Sequence, residues 1–207
     1  MLIPRGPTYR RTMADPVSIV AVSGSLHAPS RTTVLAHELL TAFSDSLDGQ
    51  VPVETHLIEL SEIGRDFSGA LTRAELSPVA EEALRRIESA TLLVVASPVY
   101  RASFTGLFKH VFDFVGQYSL IDKPVQLAAT GGSDRHALII DHQFRPLFSF
   151  FQAITLPIGV YASDADFVDY RIESATLRER VGLAVQRGVP VVRGTLPDAV
   201  SEYVSNW

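Results

Sequence analysis

Residues Val17 to Val22 form an apolar, largely β-branched run, interrupted only by Ser18, that breaks into a short hydroxyl-rich loop and then opens a helix. The junction reads Gly24-Ser25-Leu26-His27-Ala28-Pro29-Ser30-Arg31-Thr32-Thr33. Gly24 permits the sharp exit, because a residue without Cβ reaches conformations closed to others. Ser30 is placed to cap the helix, with Arg31, Thr32 and Thr33 in its first turn. Free backbone N–H groups and the positive dipole end then face the loop and favour an anion. Ser25, Ser30, Thr32 and Thr33 offer hydroxyls to a phosphate monoester, and Arg31 offers charge. The loop lacks Gly-Lys-Ser/Thr, which excludes the NTP-binding P-loop, and lacks the G-x-G-x-x-G dinucleotide fingerprint. The same residues also suit an ordinary capped helix start.

The pattern of strand followed by helix recurs along the chain. Strands are expected at Val17–Ser23, Val51–Leu60, Thr91–Ser97, Val125–Thr130 and Ile154–Tyr161. The third is continuously apolar, as a parallel strand buried on both faces should be. Helices are expected at Ser30–Phe43, Pro78–Ser89 and His136–Gln152. Another is expected through Phe104, Leu107, Phe108, Val111, Phe112 and Val115, whose spacing is helical. A last helix over Ile172–Arg187 ends at Gly188, a favourable residue after a helix, and the tail from Val189 reads as a short edge strand. Five strands alternating with helices predict an α/β, doubly wound, five-stranded parallel sheet. A phosphate loop after the first strand fits the flavodoxin-like order 2-1-3-4-5, with ligands at the carboxyl ends of the strands.

Two further loops at that end carry unusual chemistry. After the third strand, Pro98 stiffens the exit, Tyr100 can flank a planar ring, and Arg101 can meet an anion. Ser103 suits either the N-cap of the following helix or a ligand contact. After the fourth strand, Thr130-Gly131-Gly132-Ser133 lets backbone approach a flat ligand and present N–H groups, or makes a simple turn. The three loops together are best explained by a flavin mononucleotide site. Pro146 lies inside the expected His136–Gln152 helix, where it removes a donor and crowds the carbonyl of His142. A single widened turn relieves such a conflict.

Composition narrows the classes. The 207 residues are enough for one domain with a full core. A net charge of −5 argues against nucleic acid as a partner. The chain has no cysteine, so disulfides, thiolate metal sites and cysteine nucleophiles are excluded. That absence fits a cytoplasmic protein. Apolar runs such as Leu92–Ala96 are too short for a membrane. Met1–Met13 has Arg5, Arg10 and Arg11 without an apolar stretch, so residues 1–14 are expected to be a disordered extension before a single domain at 15–207. The six histidines show no metal-ligand spacing, and Asp164, Asp166 and Asp169 read as a solvated acidic loop.

Gly24-Ser25 with Ser30-Arg31, Ser97-Pro98-Val99-Tyr100, Ala129-Thr130-Gly131-Gly132-Ser133, Asp141-His142 with Pro146, and Gly159-Val160-Tyr161-Ala162-Ser163-Asp164 resemble the NADPH-dependent FMN reductase family. They look most like the subgroup that supplies reduced flavin to alkanesulfonate and methanesulfonate monooxygenases. The resemblance implies FMN phosphate at Ser25, Ser30, Arg31, Thr32 and Thr33. It places the isoalloxazine between Pro98, Val99, Tyr100 and Arg101 on one side and Thr130, Gly131, Gly132 and Ser133 on the other. It further implies reduction by NADPH or NADH, transfer of free FMNH2 to a partner monooxygenase of sulfonate or organosulfur metabolism, and a homodimer or homotetramer. In that subgroup an inserted aromatic residue forms a π-type turn at a subunit interface, associated with flavin transfer. Its alkanesulfonate members carry tyrosine there; His142 of this chain points to the methanesulfonate branch, with His142 and Pro146 governing flavin release or assembly. No acid–base residue is assigned, since the cofactor carries the hydride chemistry. Two other readings remain open at this level: a quinone or azo-compound reductase with tightly bound FMN, and a flavodoxin-like electron carrier.

Overall fold

Strands buried on both faces need helices on both sides, and this requirement organises the molecule. The computed structural model describes residues 16–48 and 52–196, so the extension at 1–14 and the expected strand start at Val51 lie outside the described residues. Strands β1 (Val17–Ser23), β2 (Val53–Glu59), β3 (Leu92–Pro98) and β4 (Pro124–Gly131) are parallel in the order β2-β1-β3-β4. The fifth position is shared by two short strands, β5 (Ile154–Thr155) and β6 (Val160–Ser163), both parallel to β4. The result is the flavodoxin-like order 2-1-3-4-5.

Alternate strand residues feed two cores. Val17, Ile19 and Ala21 of β1 pack with helices α1 (Arg31–Leu47) and α6 (Ala175–Gly194). Val20 and Val22 face the other side, against α3 (Pro78–Ser89), α4 (Gly106–Phe114) and α5 (Arg145–Phe150). A short α2 (Leu60–Ile63) follows β2. On the second side, Phe104, Phe108, Phe112, Phe144 and Phe148 form a column of tilted and edge-on rings with centroids 4.8 to 5.5 Å apart. Such pairs add geometric specificity to their apolar burial. They seat α4 against the α5 segment.

Three local expectations are corrected. The fifth strand is not continuous: the Leu156 N–H still donates to the Val125 carbonyl at 2.9 Å, but residues 157–159 leave the ladder, where Pro157 has no N–H to give. The buried amide of Gln126 bridges the gap by donating from Nε2 to the Ile158 carbonyl at 2.9 Å. The last helix does not stop at Gly188 but continues through it and Pro190, and no edge strand follows among the described residues. Gly188 has a packing reason instead: a Cβ there would lie 2.7 Å from Leu156 Cδ1 and 2.9 Å from the Phe43 ring. The glycine lets α6 approach α1. The residues before it, Phe167–Val168 and Arg171–Ile172, form an unanticipated antiparallel hairpin, β7–β8. The expected helix over 136–152 is broken into a 3-10 turn, a π turn and α5.

The long connection before α3 is tied down by charge. Arg73 donates to both carboxylate oxygens of Glu81 at 2.9 and 3.0 Å, and to Glu88 at 2.6 and 3.0 Å. Glu88 also accepts from the Gly116 N–H at 2.9 Å, which links α3 to the end of α4. The hydrogen bonds from Arg73 hold the Glu81 carboxyl below its ordinary value. A depressed pKa contributes stability above the unfolded carboxylate value of about 4.3, lost as pH falls below it.

Glu81→Gln is therefore expected to lower the urea midpoint at pH 6 and to show a narrower gap from the parent chain at pH 3, where the contribution of the depressed carboxyl has begun to decline. Gly188→Ala is expected to destabilise by about 1–2 kcal/mol in urea unfolding, because overpacking against Phe43 outweighs the helix-propensity gain.

Candidate functional site

Parallel register brings the carboxyl ends of the strands level. Ser23 of β1 lies opposite Ala96 of β3, Pro98 opposite Thr130 of β4, and Gly131 opposite Ser163 of β6. The first, second and third loops therefore converge at one edge, as the sequence predicts.

The first loop turns at Gly24, whose N–H donates to the Ala96 carbonyl at 2.7 Å. A Cβ on Gly24 would come within 2.9 Å of the Phe108 ring and 3.0 Å of Ser97, so close packing calls for glycine here. Ser30 caps α1 by accepting from the N–H groups of Thr32 and Thr33 at 3.1 and 3.3 Å. Its hydroxyl proton remains free to be donated. Ser25 Oγ donates to the His27 carbonyl at 3.0 Å, and His27 itself is exposed. Thr32 and Thr33 face inward: Thr32 Oγ1 shares a 2.6 Å hydrogen bond with Thr130 Oγ1, and Thr33 Oγ1 a 2.8 Å bond with Ser23 Oγ. These two threonines anchor the helix start to β4 and β1. Arg31 reaches across the mouth, its Nη1 3.2 Å from Asp164 Oδ1. Its Nε is buried without a hydrogen-bond partner.

In the second loop the Val99 N–H donates to the Thr130 carbonyl at 2.7 Å, which locks the second loop to the third. Tyr100 and Ser103 exchange both backbone hydrogen bonds, at 2.8 and 3.1 Å, around a tight turn. Arg101 and Ala102 occupy its centre with φ of 49° and 67°. The N–H groups of Val99 and Tyr100 are thus committed to the loop itself, and backbone donation toward a ligand from this segment falls to Arg101. Tyr100 presents an exposed ring at the mouth. The cap of α4 is Thr105, not Ser103: Thr105 Oγ1 accepts from the Phe108 N–H at 3.2 Å and donates to the Gly24 carbonyl at 2.9 Å. Ser103 Oγ instead donates to Gln143 Oε1 at 3.2 Å.

In the third loop Gly131 ends β4, and a Cβ there would sit 2.3 Å from Tyr161 Oη. Tyr161 Oη donates to the Ser133 carbonyl at 2.6 Å. Burial, reinforced by Asp134, Asp164 and Asp166, pushes the Tyr161 phenol above its ordinary pKa and keeps it a donor. Gly132 and Ser133 are exposed beyond the ladder, with open space where a Gly132 side chain would be.

The wide turn expected at His142 is present: Ile140–Phe144 form a π turn, and Pro146 begins α5 just behind it. His142, Gln143, Arg135 and His136 line a cleft of about 170 Å³ with Val99 and Ala102, beside the second loop. Pro146 is exposed and lies outside that lining. Thr105 stands out only in the folded chain, as do the partners of Tyr161 and Asp164, because each of these contacts spans 28 or more residues of sequence.

The arrangement fits a phosphorylated planar ligand. A capped helix N-terminus and an arginine with an unsatisfied donor suit the phosphate, and the open space over the exposed Gly132 backbone leaves room for a flat ring. Among the described residues, no cluster of His, Asp and Glu could hold a metal ion, and no helix is long and apolar enough to cross a membrane.

Comparison with known proteins agrees with this arrangement. The chain is 55% identical over 179 residues to the NADH-dependent FMN reductase SfnF of Pseudomonas fluorescens, covering 86% of this chain and 94% of the relative. It is 52% identical to an FMN reductase (NADPH) of Pseudomonas aeruginosa, covering 88% and 96%. Among solved structures, an oxidoreductase from Corynebacterium diphtheriae is 32% identical with a TM-score of 0.79, over 86% of this chain and 98% of that one. An NADH:FMN oxidoreductase in its apo form, 24% identical, shares the fold with a TM-score of 0.71 over 89% and 92% of the two chains. The profile of NADPH-dependent FMN reductases matches residues 17–167, a span that holds all three loops. With that span matched and relatives more than half identical over nearly their whole length, the chain belongs to the NADPH-dependent FMN reductase family.

Proposed function

We propose that this chain is an NAD(P)H-dependent FMN reductase that treats FMN as an exchangeable substrate and delivers FMNH2 to a partner monooxygenase of organosulfur metabolism. The observation that carries the reading is the convergence of three loops at the carboxyl ends of the strands, with Arg31 and Ser30 in the first and the exposed Gly132–Ser133 backbone in the third. FMN bound there would supply the chemistry, accepting hydride from the nicotinamide at its N5 position. The chain supplies orientation and hydrogen bonds. Ser30 and Arg31 hold the phosphate, Tyr100 flanks the ring, and N–H groups at Arg101 and at Gly132–Ser133 meet the ring's edge. Tyr161 positions the third loop through the Ser133 carbonyl. Arg135, beside the cleft, is placed for the phosphates of the nicotinamide dinucleotide.

Release is supported by the π turn at Ile140–Phe144 and by its exposed apolar flanks. Leu138 and Phe150 are 63% and 65% exposed on this one segment, which suits self-association into a homodimer or homotetramer. The same reading puts the reaction in the cytoplasm, where NAD(P)H is available, carried by a single domain from residue 15 onward.

The deciding experiment is anaerobic oxidation of NADH and NADPH by flavin-free protein, titrated with FMN. Bleaching of many FMN equivalents per chain, with turnover saturating in FMN, is expected. Reduction of one flavin per chain, with turnover requiring a quinone or dye, would overturn the reading. Tyr161→Phe is expected to weaken FMN binding about threefold, the worth of one solvent-accessible hydrogen bond that positions the third loop, measured by flavin fluorescence. Deleting His142 removes one residue from the widened turn and leaves only the missing Pro146 donor in the ladder; the protein is then expected to purify with more flavin retained and to change its assembly on size exclusion.

A further inference from the structure

Arg31 does not point freely into the mouth. It leaves the first turn of α1 and crosses to the end of β6, where Nη1 lies 3.2 Å from Asp164 Oδ1. Its guanidinium carbon stands 5.6 Å from the centroid of the Tyr170 ring. Both partners come from the segment after β6. Asp164 opens a 3-10 turn pinned by Asp166, whose Oδ2 accepts from the Ser163 N–H at 2.7 Å and from the Ser163 hydroxyl at 3.1 Å. Tyr170 sits at the tip of the β7–β8 hairpin, where Asp169 and Tyr170 have φ of 47° and 59°. The cation of the phosphate loop is therefore already engaged from outside the loop, with its Nε still lacking a partner.

We propose that Asp164 sets the affinity of the site by competing with the flavin phosphate for Arg31, so that FMN is held loosely enough to be handed on. This rests on the FMN reductase reading and deepens it. A guanidinium has five donors, but its one charge is shared between Asp164 and an incoming phosphate of nearly two negative charges. The carboxylate repels that phosphate as well as occupying its partner. Tyr170 holds the guanidinium plane over its ring face, as cation–π geometry favours. Asp134 and Asp166, the other carboxylates that act on Tyr161, add negative charge to the same rim. The pair is half exposed, at 42% and 55% of its side-chain surface, so the competition is modest and exchange remains easy.

The test is Asp164→Asn, which keeps the shape and removes the charge, with FMN and riboflavin binding followed by flavin fluorescence at low salt. FMN is expected to bind about fivefold tighter, as the loss of one exposed competing charge allows. Riboflavin, which has no phosphate, is expected to bind as before. The gain should shrink as salt is raised, and vanish in an Arg31→Gln background. An equal change for both flavins, no change for FMN, or a gain that persists without Arg31 would overturn the proposal and leave the reductase reading intact. A parent chain that binds no FMN would overturn the reading itself, along with the proposal, before any variant is compared.

Discussion

The hydroxyl of Thr105 is a fully buried junction on which the mouth of the sheet depends. It accepts the Phe108 N–H at the start of α4 and donates to the Gly24 carbonyl, while the Thr105 N–H donates to Ser97 Oγ at 3.1 Å. One residue thereby caps a helix and joins the first loop to the second. The Thr32–Thr130 pair joins the first loop to the third, and the Val99 N–H closes the remaining side. Buried polar groups are favourable only when satisfied, and here the partners lie on three different loops. The geometry of the mouth is consequently a property of the network rather than of any loop alone.

The sheet order and the three loops were legible because they rest on local, periodic signals. An apolar run such as Leu92–Ala96 has one economical burial, and a glycine or proline at its end marks the exit. What was not legible depends on tertiary neighbours. Gly188 carries the signal of a helix end, yet it admits Phe43 and Leu156 to the α1–α6 seam. Ser103 and Thr105 are both plausible caps two residues apart, and only the nearby Gly24 carbonyl and Ser97 hydroxyl favour Thr105. The four hydroxyls of the first loop look alike in sequence, but their partners divide them: Thr32 and Thr33 pair with Thr130 and Ser23 of the sheet, Ser25 turns back on the His27 carbonyl, and Ser30 caps the helix. Strand five reads as continuous because the side chain that bridges its gap, Gln126, belongs to another strand.

The π turn illustrates a conflict whose outcome the sequence does reveal. Pro146 lacks the N–H that a regular helix would aim at the His142 carbonyl. The chain answers by widening the turn just before it, at Ile140–Phe144, so that regular pairing resumes only in α5. Phe144 keeps this irregular turn in place. It is fully buried, and its ring meets Phe104 and Phe108, each at 5.5 Å. The irregularity is thus held from the core side, while His142 and Leu138 face outward.

The interrupted fifth position of the sheet bears on how the molecule meets other chains. A long, flat edge strand offers a row of free N–H and C=O groups to any passing strand. Here that edge is two segments of two and four residues, separated by a proline. Carbonyls in and beside the gap are already engaged: Arg145 donates to the carbonyls of Leu156 and Pro157, and Arg180 to that of Gly159. This border of the sheet is a poor template for strand addition, which leaves the opposite border, the seven-residue β2 paired with β1, as the longer open edge among the described residues.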